Sequence, residues 1–240
     1  MEETTGRVRD AGHGYGAPST PHSPAQAAFA QLAGVGAAGL SDTELLMLLL
    51  NAGPSGRGGR ATAERLLSHF VSLVRLLQAE PAELAAVAGV TPLVGARVRL
   101  ARELVRRSLL EQARHVDAMA SPDLIRDFLR LTLTGREREF FLGVFLDNNH
   151  RVIATEELFA GTLTQTSVHP REVVRSALRH NAAAFCCAHN HPSGTANRSE
   201  ADRALTTALR HTLALVDVRL LDHFIVTDHA IVSFAESGWL

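Results

Sequence analysis

The spacing of hydrophobic positions divides the chain into three stretches. Up to about residue 24 large apolar residues are almost absent and Gly, Pro, Ser, Thr and His dominate, which reads as a disordered tail over 1–24. From Ala27 to about Arg114 apolar residues return every three or four positions, the period of amphipathic helices. Ser41 followed by Glu44 is a capping box ahead of the run Leu45–Leu50, and NAGPSGRGG (51–59) is a glycine-rich break. The segments RATAERLLSHFVSLVRLLQ, PAELAAVAGV and ARVRLARELVRRSLLEQAR continue the helical pattern. The reading is an all-helical module over 25–114 and a linker over 115–120.

A different rhythm begins at Ser121, an N-cap followed by a proline in the first helical turn of DLIRDFLRLTL. After Gly135 strands and helices alternate. EFFLGVFLD (139–147) and RVIATEELFA read as paired strands around the turn NNH. REVVRSALRHN (171–181) is a helix, AAAFCCAHNH (182–191) a short buried strand and SEADRALTTALRHTLALV (199–216) another helix. Strands over VRLLDHFIVTD and AIVSFAE follow. This pattern predicts an α/β domain over 121–240.

Composition narrows the class. Hydrophobic residues make up 46% and charged residues 20% of 240 residues, as in a globular protein. A formal net charge of -1 gives no global field towards nucleic acid or an anionic membrane. All 24 basic residues are arginine, a bias that accompanies the abundant alanine. Cys186 and Cys187 are neighbours, and successive strand side chains point to opposite faces, so they are poor disulfide partners. With no signal-peptide pattern at the start and no apolar run near 20 residues, the expectation is a cytoplasmic protein with no membrane partner.

The chemistry concentrates in AHNHPSGTANRSEAD. His189 and His191, two apart on a strand, present both imidazoles on one face. Pro192, Ser193 and Gly194 then turn the chain, and Asp202 follows in the first turn of the helix that Ser199 opens. Two imidazoles and a carboxylate make three protein ligands, and a catalytic zinc site leaves its fourth position to water. Taken singly, each half has a plainer account: His-x-His as a surface pair, Ser199 and Asp202 as a capping box. Together they predict one zinc ion per chain held by His189, His191 and Asp202.

His-x-His, seven residues, Ser, two residues, Asp resembles the JAMM motif of the JAB/MPN metallopeptidase-like family. VHPREVVRSALRHNAAAFCCAHNHPSG, REREFFLGVFLDNNHRVIATEELFAGTL and the ending SFAESGWL are most similar to its RadC-like branch. LSDTELLMLLLNAG through AELAAVAGV resembles that branch's helical N-terminal region. The resemblance implies a three-layer α/β JAB/MPN domain of cytidine-deaminase-like type, and a hydrolase acting on a peptide or isopeptide bond of a protein or peptide substrate. It also implies a glutamate on an early strand as general base, which falls on Glu139, and Ser199 as donor to the oxyanion. Glu172, in the first turn of its helix, is the rival base, and Glu156 and Glu157 are weaker ones. His169 and His223 read as supporting or structural residues, and the two cysteines as strand core.

AELAAVAGVTPLVGARVRLARELVRR also resembles a helix-hairpin-helix, a module that offers backbone amides to a DNA phosphate. Gly89 is in place, but Thr91 stands where a second hairpin glycine belongs, with Gly95 beyond. Arg97, Arg99, Arg102, Arg106 and Arg107 would supply the charge for a weak DNA contact, or form a solvated helix face. The alternative function is therefore a DNA-associated repair or recombination accessory whose zinc domain is structural or directed at a protein.

Overall fold

The computed structural model describes residues 23–50, 59–161 and 168–240. The expected tail lies almost wholly outside the described residues, as do 51–58 of the glycine-rich break. By internal contacts the chain divides into Met1–Glu64 and Arg65–Leu240.

In the first unit α1 (Pro24–Val35) is capped by Ser23, whose hydroxyl accepts from the Gln26 amide. α2 (Asp42–Leu49) opens on the reciprocal Ser41–Glu44 capping box. α3 (Gly59–Phe70) runs across the division.

The second unit begins with two corrections to the helical pattern. The segment 60–78 is two helices, because α4 (Leu73–Gln78) restarts after a break. Val71 takes a left-handed φ of 64°, and the Ser72 hydroxyl accepts from the Arg75 amide as a new N-cap. Ser121 holds the N-cap position of α7 (Pro122–Leu133), but its side chain makes no capping bond.

α5 (Pro81–Ala86) and α6 (Pro92–Ala113) form the hairpin. Gly89 carries the positive φ of 81°. Thr91 needs none: it sits at φ -85° and caps α6 by accepting from the Val94 amide. Arg65 closes over the turn, donating to the Ala88 carbonyl at 2.7 Å. A Cβ at Gly89 would lie 2.4 Å from the Arg65 guanidinium. Three cluster arginines are committed internally: Arg102 to the Leu131 and Gln78 carbonyls, Arg106 and Arg107 to Glu103. The expected linker 115–120 is packed, with Ala118 buried and its N–H donating to the His150 carbonyl.

The α/β part is a five-stranded sheet in the order β2-β1-β3-β4-β5. The strands are β1 (Phe140–Leu146), β2 (Val152–Ala160), β3 (Ala184–Asn190), β4 (Arg219–Val226) and β5 (Ile231–Ser233). Only β3 and β4 are parallel, joined through α9 (Glu200–Ala214). α8 (Pro170–Arg179) connects β2 to β3.

Alternation along β3 builds three layers. Ala184, Cys186 and Ala188 face α7, where Ile125, Phe128, Leu129 and Leu133 bury against Leu142, Val144 and Phe224. Phe185 and Cys187 face the other way, against Val173 and Ala177 of α8 and Leu209 and Leu213 of α9. A strand covered on both sides has no polar face to show, which is why AFCCA reads as an unbroken apolar run. Among the described residues no helix is long and apolar enough to cross a membrane.

Candidate metal centre

The site forms where β3 runs out. His189 is the last odd-numbered residue of the strand, 1% exposed, and His191 follows one residue past its end. Their Nε2 atoms lie 2.9 Å apart. Asp202 enters from the first turn of α9, its Oδ1 3.1 Å from His189 Nε2 and its Oδ2 3.9 Å from His191 Nε2. Glu139, just before β1, brings a carboxylate oxygen within 4.8 Å of both imidazoles. The antiparallel register that sets Phe141 beside His189 makes this approach possible across a separation of fifty residues in sequence.

A chain of hydrogen bonds assigns the imidazole protons. The Thr206 hydroxyl donates to the Asp202 carbonyl (2.6 Å) and so must accept from His223 Nδ1 (2.7 Å). Burial holds the His223 imidazolium well below its ordinary range, so this ring is neutral and its Nε2 carries a lone pair. That lone pair accepts from His189 Nδ1 (2.8 Å), which frees His189 Nε2 to face the site. His191 Nδ1 donates to the Thr195 carbonyl (2.8 Å), which frees its Nε2 as well. Two imidazole lone pairs and a carboxylate thus converge in an arrangement that could hold a cation.

The donor set fits zinc. A tetrahedral site with Zn–N of ~2.05 Å has ligand atoms about 3.3 Å apart, close to the 2.9 Å between the imidazole nitrogens and the 3.1 Å from His189 Nε2 to Asp202 Oδ1. Burial alone would push the Asp202 carboxyl up; its contacts with His189 and Ser199 outweigh it and hold the group well below the usual carboxylate range.

Asp202 has two roles at once, divided between its oxygens. Oδ2 accepts from the Ser199 amide (2.8 Å) and hydroxyl (2.7 Å), completing the capping box, while Oδ1 is left for His189. The Ser199 hydroxyl also caps the helix, accepting from the Asp202 amide at 3.1 Å, so its proton is spent on the carboxylate. Of the rival carboxylates, Glu172 pairs with Arg175 at 2.5 Å and Glu156 with Arg179 at 2.5 Å. Glu157 is bonded to Arg136.

Matches to known families cover the two parts of the chain separately. A family described as the RadC-like JAB domain matches residues 119–239, and one described as UPF0758 N-terminal matches 30–94. A UPF0758 protein of Nitrosomonas eutropha is 50% identical over 203 residues, covering 85% of this chain and 91% of the relative. A UPF0758 protein of Nitrosospira multiformis is 52% identical over the same span and coverage. One from Chromobacterium violaceum is 51% identical over 205 residues, 85% of this chain and 92% of the relative. The chain belongs to the UPF0758 family, with a RadC-like JAB domain at its C-terminal end.

Two residues of this JAB domain that sequence reading passed over shape the centre from behind. Asn190 lies between the histidines and therefore points to the opposite face, where it is 3% exposed. Its Oδ1 accepts from the Phe140 N–H (2.8 Å) and its Nδ2 donates to the Arg138 carbonyl (2.9 Å), which fixes the backbone on both sides of Glu139. A lone amide in an apolar strand was the available signal. Asp222, buried beside His223, accepts from Ser233 Oγ, the Ala235 amide and the His223 amide, tying the chain after β5 to β4. Cys186 and Cys187 are free and buried, and burial pushes both thiols up, which keeps them protonated within the strand core.

Proposed function

We propose that the protein is a zinc-dependent hydrolase that cleaves a peptide or isopeptide bond in a protein or peptide substrate, with one zinc ion per chain. The observation that carries this reading is the convergence of His189 Nε2, His191 Nε2 and Asp202 Oδ1, with tautomers already set for metal binding. When bound, zinc supplies Lewis acidity and lowers the pKa of a coordinated water to ~7. His223 and Thr206 keep His189 in the ligating tautomer, and Ser199 holds Asp202 so that one oxygen faces inward.

Glu139 is the general base. Its carboxylate lies within 4.8 Å of both imidazoles, a position suited to taking the proton of an attacking water and passing it to the leaving amine. Ser199 is the oxyanion donor, for which its hydroxyl would turn from Asp202 towards the substrate; an aimed donor of this kind contributes ~3 kcal/mol. The buried, free cysteine pair supports a reducing, cytoplasmic setting.

Metal analysis of the purified chain is expected to give one zinc per chain, and His189→Ala and Asp202→Ala to remove it. Full zinc retention in both variants overturns the proposal. Glu139→Gln is expected to keep zinc and abolish hydrolysis of a peptide library and of isopeptide-linked peptides.

A further inference from the structure

The last turn of the chain folds back onto the metal centre. After β5 the Ser237 amide donates to the Ser233 carbonyl, the Gly238 amide to Ala235 and the Trp239 amide to Phe234. Gly238 takes a φ of 70°, a conformation that side-chain-bearing residues resist, and this reversal delivers the indole.

Trp239 lies against two guanidinium groups. The Arg198 carbon Cζ is 3.8 Å from the ring centroid and that of Arg203 is 4.5 Å. Arg198 immediately precedes Ser199, and Arg203 immediately follows Asp202. The two arginines therefore bracket the capping box that aims Asp202. Arg198 Nη1 is buried and meets no hydrogen-bond acceptor among the described residues, so the indole face is its counterpart. On its other side Trp239 meets Phe234 edge-on at 5.5 Å, and Phe234 stacks on His223 at 4.8 Å. His223 is the ring that sets the His189 tautomer. One indole thus touches the start of the Asp202 helix and, through Phe234, backs the ring that supports His189.

We infer that Trp239 is a positioning residue that clamps the segment 198–203 through Arg198 and Arg203 and so preorganises Asp202 and Ser199 for the metal. Arg203 also lies 3.6 Å from Glu200, an exposed pair of the same helix turn that cannot reach across to β4. The indole adds a link between the two sides beside the Thr206–His223 bond. In assigning a purpose to the clamp, the inference rests on the zinc reading above.

The test uses the full-length chain and zinc chloride alone as the probe. In competition with a chromophoric chelator, Trp239→Ala is expected to bind zinc about ten-fold more weakly or worse. Trp239→Phe, which keeps a ring face, should recover most of the affinity. The Arg198→Met, Arg203→Met double variant leaves the indole in place and should weaken zinc as Trp239→Ala does. The chain has a single tryptophan, so its emission reports on this clamp directly: zinc should shift it in the wild type and not in the double variant. In metal-free protein, amide exchange over 195–203 should quicken in both weakened variants while exchange in β3 stays unchanged. Wild-type zinc affinity together with wild-type exchange over 195–203 in either variant overturns the inference. If the wild type takes up no zinc, the metal reading falls, and the exchange comparison still decides the clamp.

Discussion

Strand β3 serves two layers with matched interiors and different ends. Towards α7 its side chains are Ala184, Cys186, Ala188 and then Asn190; towards α8 and α9 they are Phe185, Cys187 and then His189. Both series are apolar until the strand emerges from the core. There one face ends in an amide that satisfies backbone, the other in an imidazole of the candidate metal centre. The face that carries the candidate site is therefore backed by a face that only holds shape, and the division falls between adjacent residues.

Cutting into each core should separate the two roles most forcefully. Phe128→Ala in α7 and Phe185→Ala in β3 are each expected to cost ~3–5 kcal/mol in denaturant unfolding, from lost burial and a cavity. If the layers divide as described, Phe128→Ala leaves the zinc affinity of the folded protein unchanged; a large loss of affinity there would break the comparison. Next in size is Asn190→Ala. It strands the Phe140 N–H and the Arg138 carbonyl, an expected cost of ~2 kcal/mol. Zinc should be retained while turnover drops, because Glu139 loses its footing and the ligands do not.

Thr206→Val sharpens the other side. It removes the acceptor for the buried His223 proton at nearly constant volume, and zinc affinity should fall about ten-fold, ~1.4 kcal/mol, with a stability loss of about 1 kcal/mol from the unpaired N–H. Equal affinity in wild type and variant would mean that the His189 tautomer needs no support.

The smallest effect lies on the α7 side, far from any ligand. Hydrogen bonds from Arg106 and Arg107 draw the Glu103 carboxyl down to about 2, below its unfolded value of ~4.3. This contribution is complete above pH ~4.3 and is lost as pH falls towards 2. With Glu103 37% exposed, Glu103→Gln should remove no more than ~0.5 kcal/mol of it, visible as a flatter stability profile over that window.

What could be read from sequence was what is local. His189, His191 and Asp202 come together in the structure because a strand fixes the i, i+2 relation of the histidines and an N-cap fixes Ser199 against Asp202. The α/β alternation and the double-sided burial of β3 were legible for the same reason. Glu139 was reachable only through resemblance, since its approach depends on the β1–β3 register. His223 reaches His189 across the parallel β3–β4 pair, and Trp239 reaches Arg198 by a turn after β5; neither relation leaves a periodic trace. The break at Val71 was missed because apolar spacing carries on through it, while the decisive event is a backbone angle.

The strand directions have a practical consequence. The start of β1 and the ends of β3 and β4 lie at one pole of the sheet, together with Glu139, the two histidines and the turn 227–230. The hairpin turn 147–151 lies at the other pole, closed by its own bonds through Asp147. That turn is the place to graft a fluorophore or an affinity handle: the addition would ride on the tip of β1 and β2, a full strand length from His189 and His191.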